Sequence, residues 1–517
     1  MKRLGVLIVT ILTSSVVMAG FIGRDTLPDV HDPTIAYRTQ ITIDTIGSGQ
    51  FPPAWHNTLN YGYGYPLNLY YAPLITYLTA IATSLVDNVV IGVKLTLWCI
   101  TLFGILGVYK LVIKYGLVAS LVASTAYAML PYHASALYVR GSYAEYLAIN
   151  LLPWVIYFWT KPLDQKKHMI MASVSMALFL ISHNTIPFLA FPLVITISFL
   201  SQKNNYKQII LALVLSLALP AAFLMPIFFE RSYIQLDSVA TKTVLADHFV
   251  TPAQLWYSPW GYGGSTPGEG DLMSFMLGKG QIVLSILGLI FAVVLRDQSI
   301  LLISIPLIAM LLAALPLSRP IWDLIPTLAL LQFPWRVLGI ATLALAYASG
   351  YLFSRLKNMT GLVICALVVA ALITTNYTYF RPWNTHTFNH DIVTSEANLH
   401  PLVLNKIPEY LPAWMDDFPS KPSVDGLTRT AVAVRGKITS SDLVPLTIKT
   451  AYMPHWRLTL NGYPTDIIPN EDGTIRSHAV IPPGEYEVGL TWHKTPIEII
   501  GVAISLVTIV IVLGLAL

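Results

Sequence analysis

Residues 89–109 read VVIGVKLTLWCITLFGILGVY, and this stretch decides the fold. It contains a single charged side chain, Lys94. A helix needs about 20 apolar residues to cross the hydrocarbon core of a bilayer, so this stretch predicts a transmembrane helix. Further apolar runs approach that length, and several are short enough to predict tilted or broken helices; they lie at residues 4–22, 117–135, 145–160, 168–183, 184–200, 208–229, 281–295, 299–316, 335–354, 360–380 and 497–516. We therefore predict a polytopic α-helical membrane protein with about 12 transmembrane helices.

The composition of the whole chain agrees with this prediction. Of its 517 residues, 55% are hydrophobic and 11% are charged, whereas a soluble domain carries roughly a quarter charged residues. The net charge of +4 is small and gives no indication of a nucleic-acid partner. Cys99 and Cys365 lie in separate apolar runs, which excludes a disulfide framework and a CxxC metal site.

The basic residues between the runs predict the orientation, because loops rich in Lys and Arg stay in the cytoplasm. We expect the first run to be an uncleaved helix with Lys2 and Arg3 on the cytoplasmic side. If the ambiguous stretch Tyr71–Val86 crossed the membrane, the later basic loops would all lie outside; if it does not cross, they all lie inside. We therefore predict that Tyr71–Val86 is re-entrant or interfacial, and that both termini are cytoplasmic.

The chain changes character after the eleventh run. Residues 381–496 contain alternating polar and apolar stretches with turn signals between them, such as Asn461-Gly462 and Pro482-Pro-Gly-Glu485. We predict a transmembrane domain over 1–380, a small extracytoplasmic β-sandwich over 381–496 and a last transmembrane helix over 497–517. With this orientation, the functional surface lies on the extracytoplasmic side.

An acidic cluster follows the first helix. Asp29, His31 and Asp32 occur within four residues of one another. The carboxylates could act as a general base toward an acceptor hydroxyl, and together with His31 they could bind a divalent cation. The alternative is that charged residues near a helix end are simply solvated.

Aromatic residues are frequent in two of the predicted outer segments. The first segment contains Tyr63, Tyr65 and Tyr70, and a later Gly-rich loop contains Trp256. Such residues could stack on sugar rings and line a substrate site. They are also typical of the aromatic belt at a membrane interface.

Polar residues at the ends of other runs are candidates for an anion site. Arg140 could bind a phosphate through its planar guanidinium, or could simply pair with Glu145. His183 and Asn184 interrupt an apolar stretch, which indicates either a cavity lined by broken helices or a helix-ending turn. Arg336 follows Pro334 at the start of a helix, where the dipole, free N–H groups and guanidinium favour an anion; the alternative is ordinary contact with lipid head groups.

Nucleotide-binding and hydrolase motifs are missing from the sequence. It has no Walker motif, no HExxH and no GxSxG, and its Gly-rich stretches lack the strand–helix context of a nucleotide site. A soluble nucleotide donor is therefore not expected.

Taken in order, these segments resemble a known group of bacterial membrane proteins. The chain is similar to YfhO-like proteins and to the 6-pyruvoyl-tetrahydropterin-synthase-related membrane domains, both of which look like type C (GT-C) glycosyltransferases. Nothing in the sequence indicates pterin chemistry. The resemblance covers nearly the whole chain and rests on Gly62-Tyr-Gly-Tyr-Pro66, Arg140-Gly-Ser-Tyr-Ala-Glu145, Ser182-His-Asn184, Phe333-Pro-Trp-Arg336, Glu409-Tyr-Leu-Pro412 and Pro454-His-Trp-Arg457.

The resemblance implies an inverting transferase of the cell membrane that moves a sugar from a polyprenyl-phosphate donor to a glycan or lipid acceptor. It places the catalytic carboxylate at Asp29, with Asp32 as the competitor, and an assisting acid at Glu145. It assigns the donor phosphate to Arg336. A histidine occupies the second acidic position of the family pattern, which leaves a divalent cation as an open alternative. A non-catalytic transport or assembly protein of the same fold is the competing interpretation.

Overall fold

The computed structural model describes residues 2–57, 59–202, 205–236, 245–268, 270–388, 392–393, 408–430 and 432–517. Every predicted apolar run contains a helix. The helices are Lys2–Val17, Val89–Val112, Leu117–Ala128, Tyr143–Trp159, Lys166–Leu180, Ile186–Ser201, Tyr206–Ala218 with Ala221–Phe229, Lys279–Val294, Gln298–Ala313, Leu338–Tyr351, Met359–Asn376 and Pro496–Ala516.

Not all of these helices are long enough to cross a bilayer. In the described part of the chain, three helices are long and apolar enough, namely Val89–Tyr115, Met359–Tyr379 and Pro496–Ala516. The number is five if each of two bent pairs forms one span: Tyr206–Ala218 with Ala221–Phe229 is bent by 77°, and Gln298–Ala313 with Pro316–Leu324 by 90°. Proline stands at both breaks, as expected for a residue that cannot donate a helical hydrogen bond. The other helices are shorter, so twelve crossings remain a prediction.

The stretch predicted to be re-entrant or interfacial forms the helix Leu74–Val86. At 1.5 Å per residue it extends about 20 Å, which is less than the roughly 30 Å of a hydrocarbon core. It packs against a second short helix, Ile35–Gly47, through a 2.7 Å hydrogen bond between the hydroxyls of Thr39 and Thr79. Leu117–Ala128 is as short, so the placement of Leu74–Val86 stays a prediction.

The C-terminal β region is confirmed and consists of antiparallel strands in two sheets. One has the order β3 (Thr428–Thr430), β4 (Ala433–Ser440), β10 (Gly484–Trp492), β6 (Trp456–Leu460) and β7 (Tyr463–Thr465), and the other has the order β5 (Val444–Ala451), β9 (Thr474–Ile481) and β8 (Ile467–Pro469). Asn461 and Gly462, both with positive φ, form the predicted turn between β6 and β7. Part of the predicted segment 381–496 lies outside the described residues.

The segment after the first helix packs against the C-terminal part of the chain. Strand β1, Thr26–Pro28, pairs with β2, Thr385–Thr387, in a separate two-stranded sheet. Further along, the buried Trp55 stacks on Trp492 with ring centres 4.9 Å apart and meets Trp456 edge-on at 5.5 Å. The first loop segment is therefore held between the helices and the β region.

Candidate functional site

The two acidic loops, which are the cluster Asp29–Asp32 and the segment Arg140–Glu145, meet through their backbones. The N–H of His31 donates to the carbonyl of Val139 at 3.0 Å, and the N–H of Asp32 donates to that of Arg140 at 3.1 Å. Gly141 permits this approach: its φ is +63°, and a Cβ at this position would lie 2.7 Å from the Asp32 carbonyl oxygen. The segments around Asp32 and Arg140 are thus adjacent in space.

A buried ion pair forms the centre of this region. Glu145 is 0% exposed and accepts hydrogen bonds from both terminal nitrogens of Arg140, with Nη1 at 2.9 Å from Oε1. The hydroxyl of Tyr132 donates to the same oxygen at 2.7 Å. The Arg140 guanidinium also stacks 4.6 Å from the ring centre of Trp335. Arg140 is therefore engaged by a protein carboxylate, the second of the two roles that the sequence allowed.

A second ion pair lies in a narrow cleft beside the first. Asp32 accepts from Arg38 Nη2 at 3.2 Å and from the hydroxyl of Thr34. Arg38 is buried and stacks 4.6 Å from the ring centre of Tyr71. Burial opposes the charge of Arg38, but Asp32 and Tyr71 outweigh it and raise the pKa of the guanidinium. The cleft is also lined by Tyr143.

Within the described chain, Arg336 keeps an unpartnered guanidinium donor, as Arg38 does at its own Nε. Its Nη1 donates to the carbonyl of Leu331 at 3.0 Å, while its buried Nε has no hydrogen-bond partner among the described residues. It lies within electrostatic range of Glu145 and Arg140. His183 is in the same neighbourhood. An anion at Arg336 would therefore meet an unsatisfied donor, which is costly to leave buried.

One ring nitrogen of His183 is engaged by the backbone that follows it. Its Nδ1 accepts hydrogen bonds from the N–H groups of Thr185 and Ile186, both at 3.2 Å. The neutral ring that accepts at Nδ1 carries its proton on Nε2, which leaves a donor on the far side of the ring.

Glu409 is a member of this neighbourhood that the site prediction missed. It belongs to the short helix Pro408–Tyr410, and its charge interacts with those of Arg336, Arg38 and Asp32. Burial raises the pKa of this carboxyl above its usual range, against the lowering effect of the two arginines. The motif Glu409-Tyr-Leu-Pro412 stood out in the sequence, but nothing there placed it beside loops more than 250 residues earlier.

The predicted cation site is not formed by its three residues. Asp29 pairs with His386 Nε2 at 3.0 Å, His31 Nε2 lies 2.9 Å from the carbonyl of Tyr262, and Asp32 binds Arg38. Each of the three side chains is thus engaged by a partner from a different part of the chain. Among the described residues, no group of three or more His, Cys, Asp or Glu could hold a metal ion.

The predicted substrate-lining residues separate into different places. The side chain of Asn184 accepts a hydrogen bond from the N–H of Ala72 and donates to the carbonyl of Tyr70 and, at 3.0 Å, to the hydroxyl of Tyr410. Asn184 therefore connects these two segments of the chain. Tyr65 and Tyr70 are buried in the core. Tyr63 lines a separate cleft of about 570 Å³ with Lys421 and Lys449. Trp256 is exposed, 5.8 Å from the ammonium of Lys279.

Residues 69–383 match the family described as the 6-pyruvoyl-tetrahydropterin synthase related domain, a membrane protein. The resemblance noted in the sequence is confirmed for this family. The matched range includes Arg140, Glu145, His183 and Arg336, whereas Asp29 and Glu409 lie outside it. No curated protein matches the chain.

Several solved membrane transferases show weak structural likeness. The arabinofuranosyltransferase AftD from Mycobacteria has a TM-score of 0.49 at 13% identity over 75% of this chain and 28% of its own. The oligosaccharyltransferase from Archaeoglobus fulgidus has a TM-score of 0.39 at 14% identity, over 72% of this chain and 55% of its own. ArnT from Cupriavidus metallidurans has a TM-score of 0.41 at 14% identity, over 72% of this chain and 64% of its own. Scores below 0.5 do not establish a common fold, and this chain spans less than two thirds of each protein.

Proposed function

The chain belongs to the 6-pyruvoyl-tetrahydropterin synthase related family of membrane proteins, and with that premise we propose that it is a membrane glycosyltransferase. The donor would be a polyprenyl-phosphate-linked sugar, and the acceptor an extracytoplasmic glycan or lipid. The proposal includes the type C fold, the twelve crossings and the orientation predicted from the basic loops, with both termini in the cytoplasm.

The observation that carries the proposal is the set of charges around Arg336. Charged side chains at the ends of apolar helices are expensive to keep there and mark functional sites by default. Arg140 is neutralised by Glu145, whereas Arg336 has a buried Nε without a partner in the described chain. A phosphate monoester or diester at Arg336 would satisfy that donor through a charge-assisted hydrogen bond.

The proposed chemistry is a single displacement with inversion. An acceptor hydroxyl loses its proton to a carboxylate, its oxygen bonds to the anomeric carbon, and the bond from that carbon to the phosphate oxygen breaks. The electron pair leaves with the lipid phosphate, whose charge Arg336 stabilises. Asp29, Asp32 and Glu145 are the carboxylates that the sequence proposes for this site.

Complementation with lipid analysis tests this proposal. We expect a strain that lacks the gene to lose one surface-glycan substituent and to accumulate its polyprenyl-linked donor, as measured by mass spectrometry. Wild type should restore the substituent. Arg336→Ala should not, because the leaving phosphate loses its counter-charge, a loss on the order of 100-fold in rate.

A matched control separates this effect from the loss of a surface charge. Arg319 is exposed and pairs with Asp323, so Arg319→Ala should complement like wild type. If neither the deletion nor Arg336→Ala changes any glycan or lipid-linked sugar, the protein is not this transferase. A non-catalytic transport or assembly role would show itself as altered glycan export that tolerates Asp29→Asn, Asp32→Asn and Arg336→Ala.

A further inference from the structure

A cleft of about 570 Å³ lies where the first loop segment meets the β region. Protein sites for small molecules usually measure about 300–1,000 Å³, so the cleft is large enough for a ligand. Tyr63 lines it from the first loop segment, Lys421 from the loop before β3, and Lys449 from β5. None of the described residues that line it belongs to the charges around Arg336. The cleft is therefore a second place where a ligand could bind.

The charged side chains that line the cleft are both cations. Lys421 and Lys449 are exposed, and in the described part of the chain neither ammonium group forms an ion pair. On β5 the neighbours of Lys449, Ile448 and Thr450, are buried, so the alternation of the strand turns the Lys449 side chain toward solvent. An anion in the cleft would therefore meet two ammonium groups that no described carboxylate neutralises.

The acids whose charges act on this cleft are already engaged. Asp425 accepts from both terminal nitrogens of Arg429, with Nη1 at 2.8 Å from Oδ1 and Nη2 at 2.6 Å from Oδ2. Asp472 accepts from the hydroxyl of Thr474 at 2.5 Å and from its N–H at 3.0 Å. Because Arg429 cancels the charge of Asp425, the two lysines outnumber the one carboxylate that has no cationic partner here. The cleft thus keeps an excess of positive charge.

The pair of Asp425 and Arg429 also ties the walls of the cleft together. Arg429 Nη2 donates to Ser423 Oγ at 2.9 Å and to the carbonyl of Lys449 at 3.2 Å, and Ser423 Oγ donates to that carbonyl at 2.7 Å. The N–H of Lys449 donates back to Asp425 Oδ2 at 3.2 Å. These bonds join the loop before β3 to β5. The walls are therefore fixed before a ligand arrives, which reduces the entropy lost on binding.

Tyr63 gives the cleft an aromatic wall. Its carbonyl accepts from the N–H of Ala451 at 2.8 Å, and the carbonyl of Tyr61 accepts from the N–H of Ser423 at 2.8 Å, so both neighbouring segments hold it in place. Its side chain is half-buried. The face of an aromatic ring carries partial negative charge, which favours packing against the C–H groups of a sugar ring. An aromatic face beside two ammonium groups therefore fits a sugar that carries an acidic group.

We propose that this cleft binds an anionic saccharide, with Lys421 and Lys449 opposite its carboxylate or phosphate groups and Tyr63 against the face of a sugar ring. Ammonium groups bind such anions as point charges, without the fixed geometry of a guanidinium. A phospholipid head group would meet the same lysines but would give Tyr63 no sugar ring to pack against. The binding itself does not depend on the proposed function, whereas the identity of this saccharide with the acceptor glycan rests on it.

The segment that lines the cleft also reaches the second ion pair of the candidate site. The ring of Tyr410 lies 5.9 Å from that of Tyr71, on which Arg38 stacks at 4.6 Å. The chain from Tyr410 to Pro419, at the edge of the cleft, spans about 30 Å at most even when fully extended. A polymeric glycan held in the cleft could therefore place another of its sugars at the candidate site. This favours a polymer over a small lipid as the acceptor.

Binding of defined saccharides to the full-length protein in phosphatidylcholine nanodiscs tests the inference. The probes are trigalacturonic acid, which carries a carboxylate on each sugar, and maltotriose, a neutral trisaccharide. We expect calorimetry to show roughly tenfold tighter binding of trigalacturonic acid, because two exposed ion pairs form. This preference should weaken as salt is raised, since exposed charges are screened beyond about 8 Å at 0.15 M ionic strength.

Variants of the lining residues locate the binding. Lys421→Gln combined with Lys449→Gln should weaken trigalacturonic acid binding roughly tenfold and leave maltotriose unaffected, because only the ion pairs are lost. Tyr63→Ala should weaken both probes by roughly two- to tenfold, because the ring face is removed. The control is Lys437→Gln in the same β region, whose exposed ammonium pairs with Glu485 outside the cleft and should change neither affinity.

Three results would overturn the inference. The first is equal affinity of the wild-type protein for both trisaccharides, or binding of neither. The second is unchanged binding of trigalacturonic acid by the double lysine variant. The third comes from dihexanoyl phosphatidylglycerol as a further probe: if it binds through the two lysines and trigalacturonic acid does not, the cleft takes lipid head groups instead of a saccharide.

The complemented strain decides whether the bound saccharide is the acceptor. We expect the double lysine variant to restore less of the glycan substituent than wild type or Lys437→Gln, with the lipid-linked donor accumulating. Wild-type glycans despite lost saccharide binding would overturn the acceptor assignment and leave the transferase standing. A deletion that changes no glycan would overturn the proposed function, while saccharide binding by the cleft would still be judged by calorimetry alone.

Discussion

At the scale of single residues, the site is organised by which charges neutralise one another. The sequence left open whether Arg140 binds a phosphate or pairs with Glu145, and the structure shows the pair. Both side chains are buried, with Tyr132 completing the hydrogen bonds of the carboxylate. Because Arg140 is used in this way, Arg336 is left as the stronger candidate for the phosphate.

This pairing predicts a stability effect for Arg140→Ala. Removing one partner of a buried ion pair leaves an uncompensated charge on Glu145, which costs about 3–5 kcal/mol. We expect a matching loss of stability in thermal or denaturant unfolding of the purified protein in detergent. The exposed pair of Arg319 and Asp323 is the control, because Arg319→Ala should cost about 0–1 kcal/mol. A stable Arg140→Ala protein that fails to bind undecaprenyl phosphate would instead identify Arg140 as a phosphate ligand.

At the scale of elements, the site depends on how the two acidic loops pair. Backbone hydrogen bonds join His31 to Val139 and Asp32 to Arg140. Gly141 stands directly after this contact, in a left-handed conformation and against the first loop. The register between the loops determines which way Asp32 and Arg140 point, and therefore which ion pairs form.

Gly141→Ala should disturb this register. An added Cβ would lie 2.5 Å from Val30 Cγ2 and 2.7 Å from the Asp32 carbonyl oxygen, so one loop must move. The left-handed conformation adds roughly 1–2 kcal/mol for a residue with a Cβ. We expect a lower unfolding temperature and weaker transfer in the complemented strain. Gly264→Ala, where a Cβ would meet no atom within 4 Å, should leave both unchanged. Equal results for the two variants would show that the loop contact is not needed.

At the scale of the whole molecule, the β region is held against the helices by aromatic packing. Trp55 of the first loop segment contacts Trp456 of β6 and Trp492 of β10, and β10 leads into the last helix. His455 stacks on Trp492 and lies 3.0 Å from Glu498 of that helix. The same packing holds the C-terminal part beside the loops that form the site.

Trp55→Ala should loosen this connection. Loss of a fully buried tryptophan costs about 3–5 kcal/mol. We expect limited proteolysis in detergent to cleave next to the β region sooner than in wild type. Trp383 is 76% exposed, so Trp383→Ala is the matched control and should keep the wild-type cleavage pattern. Unchanged proteolysis of Trp55→Ala would mean that other contacts hold the β region.

The sequence by itself determined that the apolar helices are solvated by lipid and in which order the helices and strands follow one another. Apolar runs have to be helical in lipid because their backbone groups must be satisfied internally, and all of them proved to be helices. The alternation and turn residues after residue 426 likewise predicted the strands, including the turn at Asn461 and Gly462. These features depend on neighbours in sequence. The number of helices that cross the membrane did not follow from the sequence, because short, bent and straight crossing helices can have the same hydropathy pattern.

Only the tertiary structure decided the partners of the charged residues. Asp29, His31 and Asp32 are adjacent in sequence, yet they bind His386, Tyr262 and Arg38. The charge of Glu409 interacts with those of Arg38 and Arg336, although the three residues lie far apart in the chain. A charged side chain can form an ion pair with any opposite charge that packing brings near. Sequence spacing therefore identified candidates, whereas packing determined which partner each charged residue has.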